Sequence, residues 1–248
     1  MPKFFVSDNQ IENDVVSIIG EDAHHISRSL RMAVGEHITV SDNNVFEYEC
    51  VLEKFLDGCV QARIESKREF LSEPQVKIHL FQALPKGEKL DFIIQKSVEC
   101  GAFQITPFES ERCVVKVKAD TEERKTERRN KIALEAAKQC GRGIVPCVHP
   151  TVSFLQMIEL AKEADEVLFC YEGEGTEPLG KVIKELRSNA ELNSISIIIG
   201  SEGGFSLSEV ELAQNNGFLK IGLGKRILRA ETASIFALSC LTYEFELS

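Results

Sequence analysis

The stretch IIIGSEGGFSLSEV, at residues 197–210, joins an apolar run to a turn with three glycines and then to a helix start. The apolar run has the length and the branched side chains of a buried strand. Ser206 and Glu209 have the spacing of a capping box, and Phe205 and Val210 have that of a hydrophobic staple, so a helix is predicted from Ser206. A strand, a turn and a helix in this order are the repeating unit of an open parallel sheet, where ligands bind beyond the carboxyl ends of the strands.

The same alternation continues on both sides of this stretch. Apolar runs of strand length occur at residues 76–83, 103–108, 166–171, 194–199 and 217–222. Helices are predicted over 88–100 and 121–140, and from Thr151, Pro178, Ser206 and Ala230. This order predicts a mostly parallel sheet covered by helices on both faces, so residues 73–248 are expected to form one α/β domain.

The first 70 residues have a different pattern. Short strand-like runs at 3–6, 36–42, 45–53 and 58–66 are separated by turn signals such as Asp57-Gly58. One helix is predicted from Asp22, as its N-cap, to Met32. These elements predict a small β-barrel over residues 1–72, with the linker at 71–75 as the domain boundary.

The composition is that of an ordinary globular chain. Its 248 residues are 43% hydrophobic and 27% charged, which excludes disordered, collagen-like and disulfide-stapled classes. The longest apolar runs have only strand length, and the first ten residues lack a signal-peptide pattern, so we expect a cytoplasmic protein that does not span a membrane. The eight cysteines contain no Cys-x-x-Cys pair. We therefore expect reduced thiols and no metal, with the cluster Cys140, Cys147 and His149 as the weaker alternative.

The charge of the chain is unevenly distributed. The net charge is −10, which argues against coating of nucleic acid by bulk charge, yet residues 112–142 carry 10 basic and 5 acidic side chains. This basic strip could contact one defined RNA site, or it could be the solvated face of a charged helix.

Two further glycine-bearing loops follow predicted strands. YEGEG at 171–175 follows one, and IGLGKRILRAETA at 221–233 carries Arg226, Arg229 and Glu231 into an apolar helix. Loops that follow strands of one sheet can build a single pocket, although each could also be only a tight turn. The first of the three, at residues 200–204, does not have the glycine spacing of a dinucleotide- or phosphate-binding loop.

Several segments together resemble a known family. IIIGSEGGFSLSEVELA (197–213) followed by LGKRILRAETA (223–233) is similar to the paired C-terminal signature of the ribosomal RNA small subunit methyltransferase E (RsmE) family. HHISRSLRMAVGE (24–36), the long segment at 84–115 and KIALEAAKQCGRGIVP (131–146) resemble its other motifs in the same order. One departure is Ser201, where the family usually has proline, and this puts the rigidity of the turn in doubt.

The resemblance implies a fold and a reaction. It implies an N-terminal PUA-like β-barrel that binds RNA and a C-terminal SPOUT-type α/β domain with a trefoil knot, paired as a homodimer. The implied activity is transfer of a methyl group from S-adenosyl-L-methionine to N3 of one uridine of 16S ribosomal RNA, uridine 1498 in the family. The implied substrate is this RNA within the small ribosomal subunit.

The resemblance also implies site residues. Cofactor contacts are expected at Ile198, Gly200, Glu202, Gly203, Gly204, Leu223, Gly224, Arg226, Ile227 and Leu228, with Cys170 and Tyr171 from the third loop. Arg229 is expected to stabilise charge on the uracil oxygens and Glu231 to accept the N3 proton. Phosphate contacts are expected at Arg28, Arg31, Arg112, Lys116, Lys118, Arg124, Arg128, Arg129 and Arg142, although Arg112 could lie in the site instead.

Three alternatives remain open from the residues alone. A knotted methyltransferase could act on another RNA position, on transfer RNA or on a ribose 2′-hydroxyl. A ribosome-assembly factor could bind RNA and keep a pocket without catalysis. A nucleotide-binding module is disfavoured, because no lysine follows the glycine turn of 200–204 as in a phosphate loop.

Overall fold

The computed structural model describes residues 1–116 and 119–248, which divide into two units. The first unit comprises residues Met1–Glu73 and Ala137–Val145, and the second comprises Pro74–Ala136 and Pro146–Ser248. No helix in the described part of the chain is long and apolar enough to cross a membrane.

The first unit is a six-stranded sheet in the order β1-β4-β5-β6-β3-β2. Its strands are β1 (Lys3–Phe5), β2 (Ile11–Glu12), β3 (Val15–Ile19), β4 (His37–Ser41), β5 (Phe46–Leu56) and β6 (Cys59–Glu69). All pairings are antiparallel except that of β1 with β4. Alternate residues of these strands, such as Ile38, Val40 and Leu52, are fully buried in one core. The predicted β-rich character of the amino-terminal domain is therefore confirmed.

Two local features of the first unit differ from the sequence prediction. The helix there is α1 (Gly20–His24), continued by a π-helical turn over His25–Ser29, and its N-cap is Ile19. Asp22 is thus not the cap but lies in the first turn, where the helix dipole favours a carboxylate and where Lys138 donates to it at 2.8 Å. The hairpin β2–β3 was not predicted; its turn depends on Asn13 at φ 54°, a left-handed conformation that asparagine tolerates.

Residues 137–145 pack in the first unit. The predicted domain boundary after residue 72 would place them in the second. Arg142 pairs with Glu73 at 2.5 Å, and both side chains are almost fully shielded from solvent. The Ser41 hydroxyl donates to the carbonyl of Gly143. These contacts link positions 69 and 102 residues apart, so no local pattern could predict them.

The second unit contains an eight-stranded sheet whose strand pairings are all parallel, which confirms the predicted mostly parallel sheet. Its order is β10-β8-β7-β13-β11-β14-β12, and β9 adds beside β8. The strands are β7 (Lys77–Ala83), β8 (Gln104–Glu109), β9 (Cys147–Val148), β10 (Val152–Ser153), β11 (Glu166–Cys170), β12 (Glu177–Pro178), β13 (Ser194–Ile199) and β14 (Leu219–Gly222). The three two-residue strands β9, β10 and β12 were not predicted.

Six helices belong to this second unit or begin in it. They are α2 (Lys89–Glu99), α3 (Ala119–Cys140), α4 (Phe154–Ala161), α5 (Leu179–Arg187), α6 (Leu207–Asn215) and α7 (Ala230–Thr242). Helix α4 begins after Ser153, which caps it, and not at Thr151 as predicted. Strand β11 lies between β13 and β14 and runs parallel to both. The loops that follow these three strands therefore emerge at the same edge of the sheet.

Candidate functional site

The three loops at this edge surround a cavity of about 350 Å³. They are residues 171–176 after β11, 200–206 after β13 and 223–229 after β14. Eleven of the predicted site residues line the cavity: Cys170, Tyr171, Gly200, Glu202, Gly204, Leu223, Gly224, Arg226, Ile227, Leu228 and Arg229. The three segments that the sequence singled out therefore meet in one place.

Three predicted residues do not line this cavity. The Ile198 side chain is fully buried within the sheet, where Ile198 pairs with Phe81 on one side and with Phe169 on the other. Gly203 faces Arg112: a Cβ atom at Gly203 would lie 3.0 Å from Arg112 Cβ, and Arg112 Nη1 donates to the Gly203 carbonyl at 3.2 Å. The cavity therefore gives no support to the predicted cofactor contacts of Ile198 and Gly203, which stay predictions. Glu231 lies in the first turn of α7, directly after Ala230, which does line the cavity.

The glycine turn after β13 is closed by its own backbone. The Gly204 N–H donates to the Ser201 carbonyl at 3.0 Å, and Gly204 has φ +62°, which favours glycine. A Cβ atom at Gly200 would lie 3.1 Å from the Phe205 ring. Serine in place of the family's usual proline thus still allows the turn to form.

The start of α6 confirms the predicted capping box. The Ser206 hydroxyl accepts the N–H of Glu209 at 3.3 Å, and a Glu209 carboxylate oxygen accepts the N–H of Ser206 at 2.9 Å. The other oxygen of Glu209 accepts the N–H of Glu111 at 2.8 Å. Glu209 therefore fixes the end of the glycine turn and also the loop after β8.

Sequence reasoning missed several residues of the cavity wall. The group comprises Glu172, Thr176, Ile199, Ser201, Phe205, Gly222, Lys225, Ala230 and Ala233. The sequence predicts Phe205 only as part of a hydrophobic staple at the start of α6. In the structure its ring also packs on Phe169, with the ring centroids 4.4 Å apart. No sequence motif marks Thr176 as a site residue. Its contact with Gly222 depends on the fold: a Cβ atom added at Gly222 would lie 2.8 Å from Thr176 Oγ1.

Charges of both signs surround the cavity. Glu202 lies 2.7 Å from the ammonium of Lys89. Partial burial raises the pKa of Glu202, but hydrogen bonds from Lys89 and from backbone N–H groups outweigh it, so the pKa is lowered and the carboxylate is ionised. Lys225, Arg226 and Arg229 are exposed on the opposite loop, and none of them has a side-chain hydrogen bond or ion pair within the described residues.

The basic residues expected to contact phosphate fall into two groups. Arg28, Arg31, Arg112, Lys116, Arg124 and Arg128 are exposed, although Arg128 pairs with Asp91 at 2.7 Å, and Lys118 lies outside the described residues. Arg129 and Arg142 are corrections: both are buried, in ion pairs with Glu122 and Glu73. A buried arginine that neutralises a carboxylate stabilises the fold and cannot reach a phosphate.

Family models match most of the chain. A model described as an RNA methyltransferase domain matches residues 72–242, and an RNA methyltransferase PUA domain matches residues 18–55. The chain is 35% identical to ribosomal RNA small subunit methyltransferase E of Bacillus subtilis over 100% of this chain and 98% of that protein. It is 31% identical to the protein of the same name from Buchnera aphidicola (subspecies Acyrthosiphon pisum), over 99% and 94%.

Solved structures show the same similarity. Ribosomal RNA small subunit methyltransferase E from Neisseria gonorrhoeae, bound to S-adenosyl methionine, superposes with a TM-score of 0.84 at 28% identity, covering 98% of this chain and 97% of that one. A Legionella pneumophila protein in complex with the same cofactor superposes with a TM-score of 0.83 at 32% identity, covering 97% and 96%.

Proposed function

This chain belongs to the ribosomal RNA small subunit methyltransferase E family, and from that membership we propose that it methylates N3 of one uridine in 16S ribosomal RNA, uridine 1498. It is a methyltransferase of ribosomal RNA that depends on S-adenosylmethionine. The observation that carries the proposal is the meeting of the three family loops around one cavity, with Arg229 on its wall.

The cavity fits the chemistry of S-adenosylmethionine. That molecule combines a flat purine ring with a sulfonium and with an amino-acid end that carries an ammonium and a carboxylate. Leu223, Ile227 and Leu228 offer an apolar wall, while Glu172 and Glu202 offer carboxylates on the other loops. A Cβ atom at Gly224 would meet nothing within 4 Å, so its bare backbone leaves room for a ligand to approach.

The reaction needs alignment and help with one proton. When the N3–C bond forms, the carbon–sulfur bond breaks with its electron pair going to sulfur, and the N3 proton must leave. Holding N3 in line with the methyl carbon supplies much of the rate. We assign stabilisation of negative charge on the uracil oxygens to Arg229, and acceptance of the N3 proton, directly or through water, to Glu231.

A methylation assay tests this reaction. Small ribosomal subunits from cells that lack the endogenous enzyme are incubated with the protein and S-adenosylmethionine, and the RNA is digested to nucleosides for mass spectrometry. We expect one N3-methyluridine per subunit. A ribose-methylated nucleoside or methylated transfer RNA would contradict the proposal, and binding without any methylation would indicate an assembly factor.

We further propose that the second unit contains a trefoil knot and that two copies pair in solution. Support for pairing comes from α2 and α7, which pack together and leave Phe92 47% and Phe236 40% exposed. Light scattering should give twice the chain mass, and Phe236→Glu should shift the measured mass toward that of the monomer.

We also propose that the reaction takes place on the small ribosomal subunit in the cytoplasm. The proposed RNA contacts are the exposed residues Arg28, Arg31, Arg112, Lys116 and Arg124.

A further inference from the structure

Lys89 joins two acidic residues that come from different parts of the site. It is the first residue of α2, and its ammonium lies 2.7 Å from Glu202 Oε1 and 3.4 Å from Glu231 Oε2. Glu202 belongs to the glycine turn after β13, and Glu231 belongs to the first turn of α7. A single cation therefore links the cavity wall to the carboxylate that we assign as proton acceptor.

The segment before α2 holds Glu202 a second time. The backbone N–H of Lys86 lies 3.3 Å from each carboxylate oxygen of Glu202. The Lys89 ammonium and the Lys86 N–H together fix both the position and the orientation of the Glu202 carboxylate. The flexible side chain of Lys89 could not do this alone. The start of α2 is thus a support for the glycine turn.

Partial burial makes these ion pairs stronger than pairs on an open surface. The side chains of Lys89, Glu202 and Glu231 are only 33%, 27% and 19% exposed. Glu231 Oε2 is shielded from solvent and accepts no hydrogen bond of good geometry from the described residues. The ammonium of Lys89 therefore balances the charge of Glu231 by proximity, and its removal would leave that carboxylate with no ion pair to the part of the chain that the structure describes.

We propose that Lys89 is a positioning residue of the methyltransferase: it holds Glu202 in place for cofactor binding and orients Glu231 for proton transfer. This inference rests on the proposed function of the site. Lys89 does not line the cavity, so it acts through the two carboxylates and not by touching the cofactor.

The test compares Lys89→Met with a matched control on the same helix. Lys96→Met also removes a lysine of α2 that pairs with a carboxylate, Glu99 at 2.8 Å, and its side chain is 34% exposed. We expect Lys89→Met to raise the S-adenosylmethionine dissociation constant measured by calorimetry, and to lower kcat, each roughly tenfold. Lys89→Arg should restore most of both quantities, and Lys96→Met should change neither.

Double substitutions identify the partner through which Lys89 acts. If it acts through Glu202, Lys89→Met should weaken cofactor binding no further in a Glu202→Gln background. If it acts through Glu231, it should lower kcat no further in a Glu231→Gln background. Should Lys89→Met not fold, Lys89→Gln enters the same cycles, and thermal unfolding without cofactor shows which variants are folded.

The possible failures are distinguishable. Wild-type protein that neither binds S-adenosylmethionine nor methylates RNA refutes the proposed function. Wild-type protein that does both, while Lys89→Met behaves like Lys96→Met, overturns the role of Lys89 alone. Full additivity in both double-substitution cycles would also overturn it.

Discussion

His79 lies in a chain of side chains on β7, β8 and the segment after β9. Its Nδ1 accepts a hydrogen bond from Gln104 at 2.8 Å, its Nε2 donates to Thr106 at 2.8 Å, and His149 donates to the Gln104 carbonyl oxygen at 2.9 Å. Burial, together with the nearby His149, lowers the pKa of His79 from 6.5 to about 3. The imidazole is therefore neutral in the folded protein at all ordinary pH values.

We predict that this histidine makes the fold less stable in mild acid. Between pH 6.5 and about 3 the unfolded chain binds a proton at His79 that the folded chain does not. The free energy of unfolding therefore falls with decreasing pH, by at most about 1.4 kcal/mol per pH unit from this residue. Urea unfolding at pH 7, 6 and 5 should show that the free energy of unfolding depends less steeply on pH for His79→Gln than for wild type, with the exposed His24→Gln as the control substitution. Equal slopes for all three would refute the assignment.

Arg229 provides a second prediction at the scale of the residue. We expect Arg229→Ala to lower kcat by roughly 10²- to 10³-fold, because charge on the uracil oxygens would lose its donor. The S-adenosylmethionine dissociation constant should change little. Calorimetry and single-turnover methylation measure the two quantities, and the exposed Arg63→Ala of the first unit is the control. A full rate with Arg229→Ala would remove the residue from catalysis.

At the scale of the element, two helix starts offer a comparison. Ser206 and Ser153 each cap a helix through a capping box, but only Ser206 adjoins the glycine turn. Each serine-to-alanine change should cost about 1 kcal/mol of unfolding free energy. Only Ser206→Ala should also weaken cofactor binding, because it loosens the turn that carries Glu202. Cofactor affinity lowered equally by both changes would show that general destabilisation is the cause.

Elements were predictable where local chemistry determines them. The capping box of Ser206 and Glu209 gave the start of α6 directly, and the apolar run at 194–199 gave β13 to the residue. The start of α1 was misplaced, because Asp22 resembles a cap but serves in the first turn. The short strands β2 and β3 depend on a turn at Asn13 that has no glycine beside it, so the usual turn signal was missing.

At the scale of the whole molecule, the structure divides the arginines into exposed ones, for some of which we propose RNA contacts, and buried ones that support the fold. Affinity for ribosomal RNA should fall as salt rises, and Arg28→Ala and Arg31→Ala should each reduce the log–log salt slope by about 0.7 to 0.9. Fluorescence anisotropy at several salt concentrations measures this slope. By contrast, Arg129→Ala and Arg142→Ala should lower unfolding stability by about 3 kcal/mol, since each leaves a largely shielded carboxylate, Glu122 or Glu73, without its cation. Unchanged slopes for Arg28→Ala and Arg31→Ala would exclude phosphate contacts there.

Long-range partners set the limit of sequence reasoning. The three site loops could be named from their glycines and charges, but the Lys89–Glu202 pair joins residues 113 positions apart. The burial of Arg129 and Arg142 was equally unpredictable. A run of basic residues has the same sequence pattern whether its side chains face water or a carboxylate. Topology, which places distant residues side by side, decides these roles.

The return of residues 137–145 to the first unit has a consequence for the order of folding during translation. Asp22, Ser41 and Glu73 leave the ribosome early, but their partners Lys138, Gly143 and Arg142 are synthesised only after β7, β8 and most of α3. The amino-terminal sheet can therefore form early, but the first unit stays incomplete until residue 145 has emerged. A nascent chain stalled before that point would expose the carboxylate of Glu73, and protease sensitivity in this region should disappear once the later segment is made.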